Sequence, residues 1–262
     1  MQSHRYSYEA IRNGEGINAA TKRSLGMPNP FFQFKQFTIR QDKCALKVGT
    51  DGVLLGAWTD YAGAERILDI GTGTGLLALI AAQRNAVAMI DAVEIDDASA
   101  EQAAENAGAS PWAERIRVHR MDARRMNASD PYDLIICNPP FYPGEMASTD
   151  QRVGVAKHSA GLAFHELIEV VDRLLVPNGR LNVILPKNRV LDFEGDARQA
   201  GLNASRRCDV RYLAAKPPKR MLLEFKRGEH AATNEEITIE ESGPFNYSAP
   251  YKALLSDLML KF

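Results

Sequence analysis

Three glycines alternate with threonines in Asp69-Ile70-Gly71-Thr72-Gly73-Thr74-Gly75-Leu76, and this run joins two segments of different period. Residues 66–70 form a short apolar strand, and 76–83 form an Ala/Leu helix. Glycine lacks a Cβ, so such a turn can take positive φ and let the backbone approach a ligand closely. Alternating strands and helices imply a mainly parallel sheet, and the following sequence continues that alternation. Strands are predicted at 88–93, 116–119, 133–137 and 180–185. Helices are predicted at 97–108, with Asp96 or Asp97 as N-cap, at 162–176 and at 188–199. In 162–176 the apolar residues Phe164, Leu167, Ile168, Val171, Leu174 and Leu175 fall on one face of a 3.6-residue period.

The alternation ends with two strands, 206–213 and 220–226, separated by Ala214-Ala215-Lys216-Pro217-Pro218-Lys219, a gap too short for a helix. They should pair antiparallel. The expectation is therefore an α/β fold: a doubly wound, mainly parallel, seven-stranded sheet with a C-terminal antiparallel hairpin. Residues 247–262 should close it with a short amphipathic helix. Upstream, 31–37 alternates weakly like a strand, and the polar residues 1–30 read as a mobile basic arm. That leaves 31–262 as one domain.

Composition narrows the class. Hydrophobic residues are 45% and charged residues 25%, which is globular rather than disordered. Lys+Arg is 32 against Asp+Glu 33, which excludes a wholly basic nucleic-acid coat protein but not a local basic patch. Cys44, Cys137 and Cys208 are far apart, so no zinc ribbon or disulfide framework is expected, and no metal. There is no apolar leader and no run of the ~18 residues that a membrane span needs, so the expectation is a cytoplasmic, soluble protein. A monomer is the favoured expectation.

The glycine turn has G-x-G-x-G spacing, not the G-x-G-x-x-G of a dinucleotide fingerprint, because Leu76 occupies the sixth position. Asp69 precedes it by two residues. A carboxylate there would repel a pyrophosphate but attract the amino group of a methionine, which points to S-adenosyl-L-methionine rather than NAD. Glu94 follows the second strand, where an acid can accept hydrogen bonds from ribose hydroxyls. Asp122, in Met121-Asp122-Ala123 after the third strand, is placed to accept from an adenine amino group. The cofactor set is thus Asp69, Gly71, Thr72, Gly73, Gly75, Glu94, Asp122, Ala123 and Asn138; a tight βα turn is the plainer alternative for the glycines alone.

Asn138-Pro139-Pro140-Phe141-Tyr142 follows the fourth strand. Neither proline has an N–H, so the Pro139 carbonyl can face a substrate amine as a pure acceptor, with the Asn138 side-chain oxygen as a second. Two acceptors suit a planar NH₂ whose lone pair is delocalised. They can align that lone pair with a sulfonium methyl and stabilise the charge growing on nitrogen. Phe141 would stack on a flat substrate such as an unstacked base, and Tyr142 could be a second aromatic wall. His158 and His165 lie near this loop in sequence but read better as ordinary surface histidines.

Together, Asp69 to Gly75, Glu94, Asp122 and Asn138-Pro139-Pro140-Phe141 resemble the motifs of class I S-adenosylmethionine-dependent methyltransferases of the N-P-P-[FY] amino-methylating group. The block 37–58, above all Lys47 to Trp58, looks like the upstream block of bacterial tRNA(Val) adenine-37 N6-methyltransferases. Residues 110–116 and 254–260 are similar to that family as well. The resemblance covers about 31–262. It implies a Rossmann-like fold, a tRNA substrate, and Lys47, Thr50 and Asp51 as cofactor-lid residues; a capped turn before the helix at 53–58 is an equally good reading of those three. The general motifs also fit methylation of a protein glutamine, of ribosomal RNA or of DNA, and a non-catalytic nucleotide- or RNA-binding module stays open.

Between residues 206 and 227 eight basic residues face only Asp209 and Glu224. The turn between the last two strands should lie on the cofactor side of the sheet. Lys216, Lys219 and Arg220 are therefore candidate phosphate contacts, with the arm's Arg5, Arg12, Lys22 and Arg23 in support.

Overall fold

The structure is a computed structural model and describes residues 29–127, 129, 131–140 and 162–261. Except for Asn29 and Pro30, the expected basic arm lies outside the described residues. So do Phe141, Tyr142, the 144–158 loop and His158.

Strands β1 (Phe31–Gln33) and β2 (Thr38–Arg40) form a small antiparallel pair. The single strand expected over 31–37 is thus broken. Phe34 and Phe37 turn inward between the two halves, stacked with centroids 4.5 Å apart. Helix α1 (Thr50–Trp58) follows, then β3 (Arg66–Ile70), α2 (Leu76–Arg84), β4 (Met89–Glu94), α3 (Asp97–Gly108), β5 (Ile116–Arg120) and β6 (Tyr132–Cys137). The second half is α4 (Phe164–Leu174), β7 (Leu175–Pro186), α5 (Val190–Gln199), β8 (Leu202–Leu213), β9 (Arg220–Arg227), β10 (Thr233–Glu240) and α6 (Ala249–Leu255).

The main sheet runs β10-β8-β9-β7-β6-β3-β4-β5. The five strands from β7 through the edge strand β5 are parallel; β9 is antiparallel to both β7 and β8, so the terminal hairpin is as expected. The sheet has eight strands, not seven. The eighth, β10, pairs parallel with β8 at the edge. Its sequence hides it: the first four residues, Thr-Asn-Glu-Glu, are exposed, and only Ile237 and Ile239 are buried. An edge strand needs one inward row and few apolar residues.

Alternation of side chains along the strands fills two cores. Ile67, Leu134, Ile136 and Ile184 face α1, α2 and α6. Leu68, Ile135, Leu181 and Leu223 face α4 and α5, where Phe193 packs on Phe225. Helix α1 is buried almost all round, which its backbone permits: a Cβ on Gly56 would stand 2.7 Å from Ile80 Cδ1 and 3.2 Å from its Cβ. The α1–α2 contact thus depends on an absent methyl group.

Gly56→Ala should therefore overpack this contact and destabilise the fold by about 1–3 kcal/mol. A urea titration giving an unchanged midpoint would show that Ile80 can move aside.

Candidate active site

Strand order reverses at β3, whose neighbours are β4 and β6, so a crevice opens at the carboxyl ends of these strands. The cleft there is lined by Gly71 and Gly73 after β3, Glu94 at the end of β4, Asp122 and Ala123 after β5, and Asn138, Pro139 and Pro140 after β6. The topology brings together four loops spread over 70 residues of chain.

The glycine turn is left-handed at three points, with φ of 70° at Gly71, 56° at Gly73 and 83° at Gly75. A Cβ on Gly71 or Gly73 would meet nothing within 4 Å, so that side is open space. At Gly75 it would stand 3.5 Å from Ala103, so this glycine also serves the α2–α3 packing. The amides of Gly71 and Thr72 both donate to Val93 O, at 2.9 and 3.1 Å, which ties the turn to β4.

Asp69 stands behind the turn and does not line the cleft. It is fully buried, and its Oδ2 accepts from the Thr72 hydroxyl at 2.5 Å and the Ala78 amide at 3.2 Å. Its Oδ1 has no partner among the described residues. Burial raises its pKa to about 7; the bonds from Thr72 and Ala78 oppose that rise, and the charge of Glu94 adds to it.

Glu94 is turned onto backbone amides: Oε2 accepts from Gly73 N at 2.9 Å, and Oε1 from Ile95 N and Asp96 N at 2.9 and 3.0 Å. A carboxylate offers about four lone-pair sites. One is left for a hydroxyl donor, and a second hydroxyl would have to displace the Gly73 amide. Asp96, as expected, caps α3 by accepting from Ser99 N. Asp122 is gripped by Arg124, whose Nη2 donates to Oδ2 at 2.6 Å, and this holds the Asp122 carboxyl below the usual carboxylate range. Arg124 also donates to Glu166 Oε1 at 2.8 Å, on the first turn of α4. Arg124 lines the cleft and was not legible as a site residue, because its role needs Glu166, 42 residues away.

Cys137 lies at the cleft floor, and burial, with the charges of Asp69 and Glu94, pushes its thiol well above the ordinary value. It is no nucleophile at neutral pH.

Lys47 and Thr50 do not line the cleft. Lys47 Nζ donates to the carbonyls of Gln41 and Cys44 and so ties up the connection from β2 to α1. The residues of that connection at the cleft are Lys43, Ala45 and Leu46. It is anchored to α3: Lys43 N donates to Gln102 Oε1 at 3.0 Å, while Asn106 bonds the Arg40 amide and carbonyl at 2.8 Å each. Gln102 and Asn106 are buried polar residues on an alanine-rich helix; that is the signal by which they could have been found.

At the start of α1, a Cβ on Gly52 would stand 3.6 Å from Asn138 Nδ2, so bare helix backbone abuts the Asn138 amide. Its neighbour Asp51 points the other way: Oδ1 accepts from the Tyr212 hydroxyl at 2.6 Å and Oδ2 from Arg220 Nε at 2.7 Å. Arg220, in register with Pro186 at the carboxyl end of β7, thus braces the terminal hairpin against α1. The expected basic trio divides: Lys216 and Lys219 are exposed on the cleft-side turn, and Arg220 is half-buried on Asp51. His165 is exposed on α4. Among the described residues no His/Cys/Asp/Glu group could hold a metal, and no helix is long and apolar enough to cross a membrane.

Asp69 gives a pH-dependent prediction. Its folded pKa, near 7, lies above the ordinary 3.8. The folded state therefore binds more protons than the unfolded state between those values, and this stabilisation is lost as pH rises through about 7. Asp69→Asn keeps an acceptor for Thr72 and Ala78 without the charge. Its thermal midpoint relative to wild type should rise between pH 5.5 and pH 8; a constant difference would place the titration of Asp69 elsewhere.

Comparison with known proteins identifies the family. Residues 48–194 match the methyltransferase small domain family. The chain is 43% identical over 235 residues to the tRNA1(Val) (adenine(37)-N6)-methyltransferase of Bacteroides thetaiotaomicron, covering 89% of this chain and 99% of that protein. It is 44% identical over 231 residues to the enzyme of the same name from Tolumonas auensis, covering 88% and 97%. A predicted O-methyltransferase from Agrobacterium tumefaciens shares the fold, with a TM-score of 0.60 at 20% identity over 79% of this chain and 96% of the other. With a family match across more than half its length and relatives aligned over nearly all of theirs, this chain belongs to the methyltransferase small domain family.

Proposed function

We propose that this chain transfers a methyl group from S-adenosyl-L-methionine to the exocyclic N6 amine of an adenine in tRNA, with position 37 of tRNA1(Val) as the target. The observation that carries the reading is the meeting of the glycine turn, Glu94, Asp122 and Asn138-Pro139-Pro140 in one cleft.

The residues present fit the cofactor. Open space over Gly71 and Gly73 accommodates a ligand against bare backbone, and the orphaned Asp69 Oδ1 is a buried acceptor behind the turn. Glu94 would take a ribose hydroxyl on its remaining lone-pair site, and Asp122 the adenine amino group. When bound, the cofactor supplies an electrophilic methyl on a sulfonium. The protein's part is positioning and electrostatics. Asn138 and the Pro139 carbonyl accept the two N–H groups of the target amine and fix its plane, and no base has to remove a proton before transfer. Gly52 keeps α1 close to Asn138 and so limits where that amide can lie. Phe141, outside the described residues, is proposed to stack on the target ring. Residues 31–262 are proposed to act as one catalytic domain.

The basic turn favours RNA over a protein glutamine. Lys219 O accepts from Lys187 N at 3.0 Å, which holds the turn at the carboxyl end of β7, the cleft side of the sheet. Lys216 and Lys219 are proposed to meet phosphates. Arg220 joins them only through its brace on Asp51.

Labelled methyl transfer into total tRNA, ribosomal RNA, DNA and protein, followed by nucleoside analysis, tests the reading; label recovered in protein glutamine would overturn it. Asn138→Ala should lose transfer at saturating cofactor by a factor on the order of 10² or more. Single-turnover rates within a few-fold of wild type would remove Asn138 from the mechanism. Replacing Lys216 and Lys219 by Gln should lower the slope of log K against log salt for tRNA by roughly 0.7–0.9 per residue, with the methylated nucleotide unchanged. Filter binding across a salt series reads this directly, and identical slopes would make the turn a merely solvated surface.

A further inference from the structure

Phe245, in the loop between β10 and α6, has φ of 66° and is 81% exposed. It is the one non-glycine residue with positive φ among the described residues. A bulky side chain disfavours left-handed backbone, and an exposed ring gains nothing from burial to offset that strain. The loop nevertheless holds the conformation. Phe245 N donates to Glu240 Oε1 at 2.9 Å, Glu241 N to Asn246 O at 2.9 Å, and Asn246 Nδ2 to Ser242 Oγ at 2.7 Å. The ring is backed by aromatic contacts: Tyr247 edge-on at 6.5 Å, then Tyr251 at 5.4 Å from Tyr247, the last buried in the core.

The loop faces the cleft edge of the sheet. Strand β10 runs parallel to β8, and Ala214 N donates to Glu240 O at 2.9 Å, so the loop begins beside the turn that carries Lys216 and Lys219. From β6, with Asn138 at its end, β10 is four strands away, about 19 Å at ~4.8 Å per strand.

We infer that Phe245 is a stacking platform for an unpaired base of the RNA substrate, a different nucleotide from the one methylated. The inference rests on the tRNA reading above and extends it to a second contact. A base offers a flat π-face that stacks on an aromatic ring whatever its identity. The exposed Glu241 repels phosphate, so the ring takes a base while the adjacent lysines take the backbone. Strain at Phe245 is what such a site requires: the loop holds the ring outward before the RNA arrives, and little ordering is left for binding.

The test is Phe245→Gly, which removes the ring and relieves the backbone, so the variant should melt no lower than wild type. Its Kd for a tRNA1(Val) transcript should rise by about 5- to 100-fold. The salt slope should stay as in wild type, because no phosphate contact is lost. KM for the transcript should rise with kcat preserved, and Phe245→Trp should restore binding. A glycine variant that binds within twofold of wild type overturns the platform while wild-type methylation of the same transcript leaves the tRNA reading standing. Wild-type protein that methylates no tRNA overturns both.

Discussion

One buried carboxylate holds the cleft in shape. Asp69 Oδ2 binds the Thr72 hydroxyl and the Ala78 amide, so the last turn of β3, the glycine run and the first turn of α2 are fastened from behind. In front, Gly71 and Thr72 hang on Val93 O, and Gly73 on Glu94. The backbone between these fixtures passes through three left-handed residues, which only glycine adopts cheaply. The rest of the cleft follows, because β4 and β6 flank β3 and bring Glu94 and Asn138 to either side of that turn.

Three further links are polar. Arg124 joins Asp122 after β5 to Glu166 on α4, two charged contacts from one guanidinium. Asp51 joins α1, which abuts Asn138, to Tyr212 and Arg220 on the terminal hairpin. Gln102 and Asn106 join the β2–α1 connection to α3. The cleft walls therefore share anchors with the surface proposed to meet RNA. The hairpin and Asn138 are thus separated by two side chains, Arg220 and Asp51, and the first turn of α1.

The acids flanking the cleft show how environment assigns roles. Asp69, sealed from water, has its pKa raised by burial. Asp122, beside Arg124, has its pKa lowered. The first is suited to structural hydrogen bonding behind the turn, the second to accepting hydrogen bonds at the cleft wall. The same residue type thus carries two tasks because desolvation dominates at one site and an ion pair at the other.

The sequence by itself determined the parallel α/β core, the terminal hairpin, and the acids and Asn-Pro-Pro run that meet in the cleft. Those features are local in cause: apolar period, glycine spacing and proline chemistry act over a few residues. It did not reveal β10, whose Thr-Asn-Glu-Glu start is exposed and whose two isoleucines acquire meaning only beside β8. Nor did it separate Arg220 from Lys216 and Lys219. All three are basic residues in one run, and only the packing of α1 against the hairpin brings Asp51 within 2.7 Å of one of them. Arg124 was settled in the same way. A guanidinium's partner 42 residues away is a fact of tertiary contact, which no local pattern encodes.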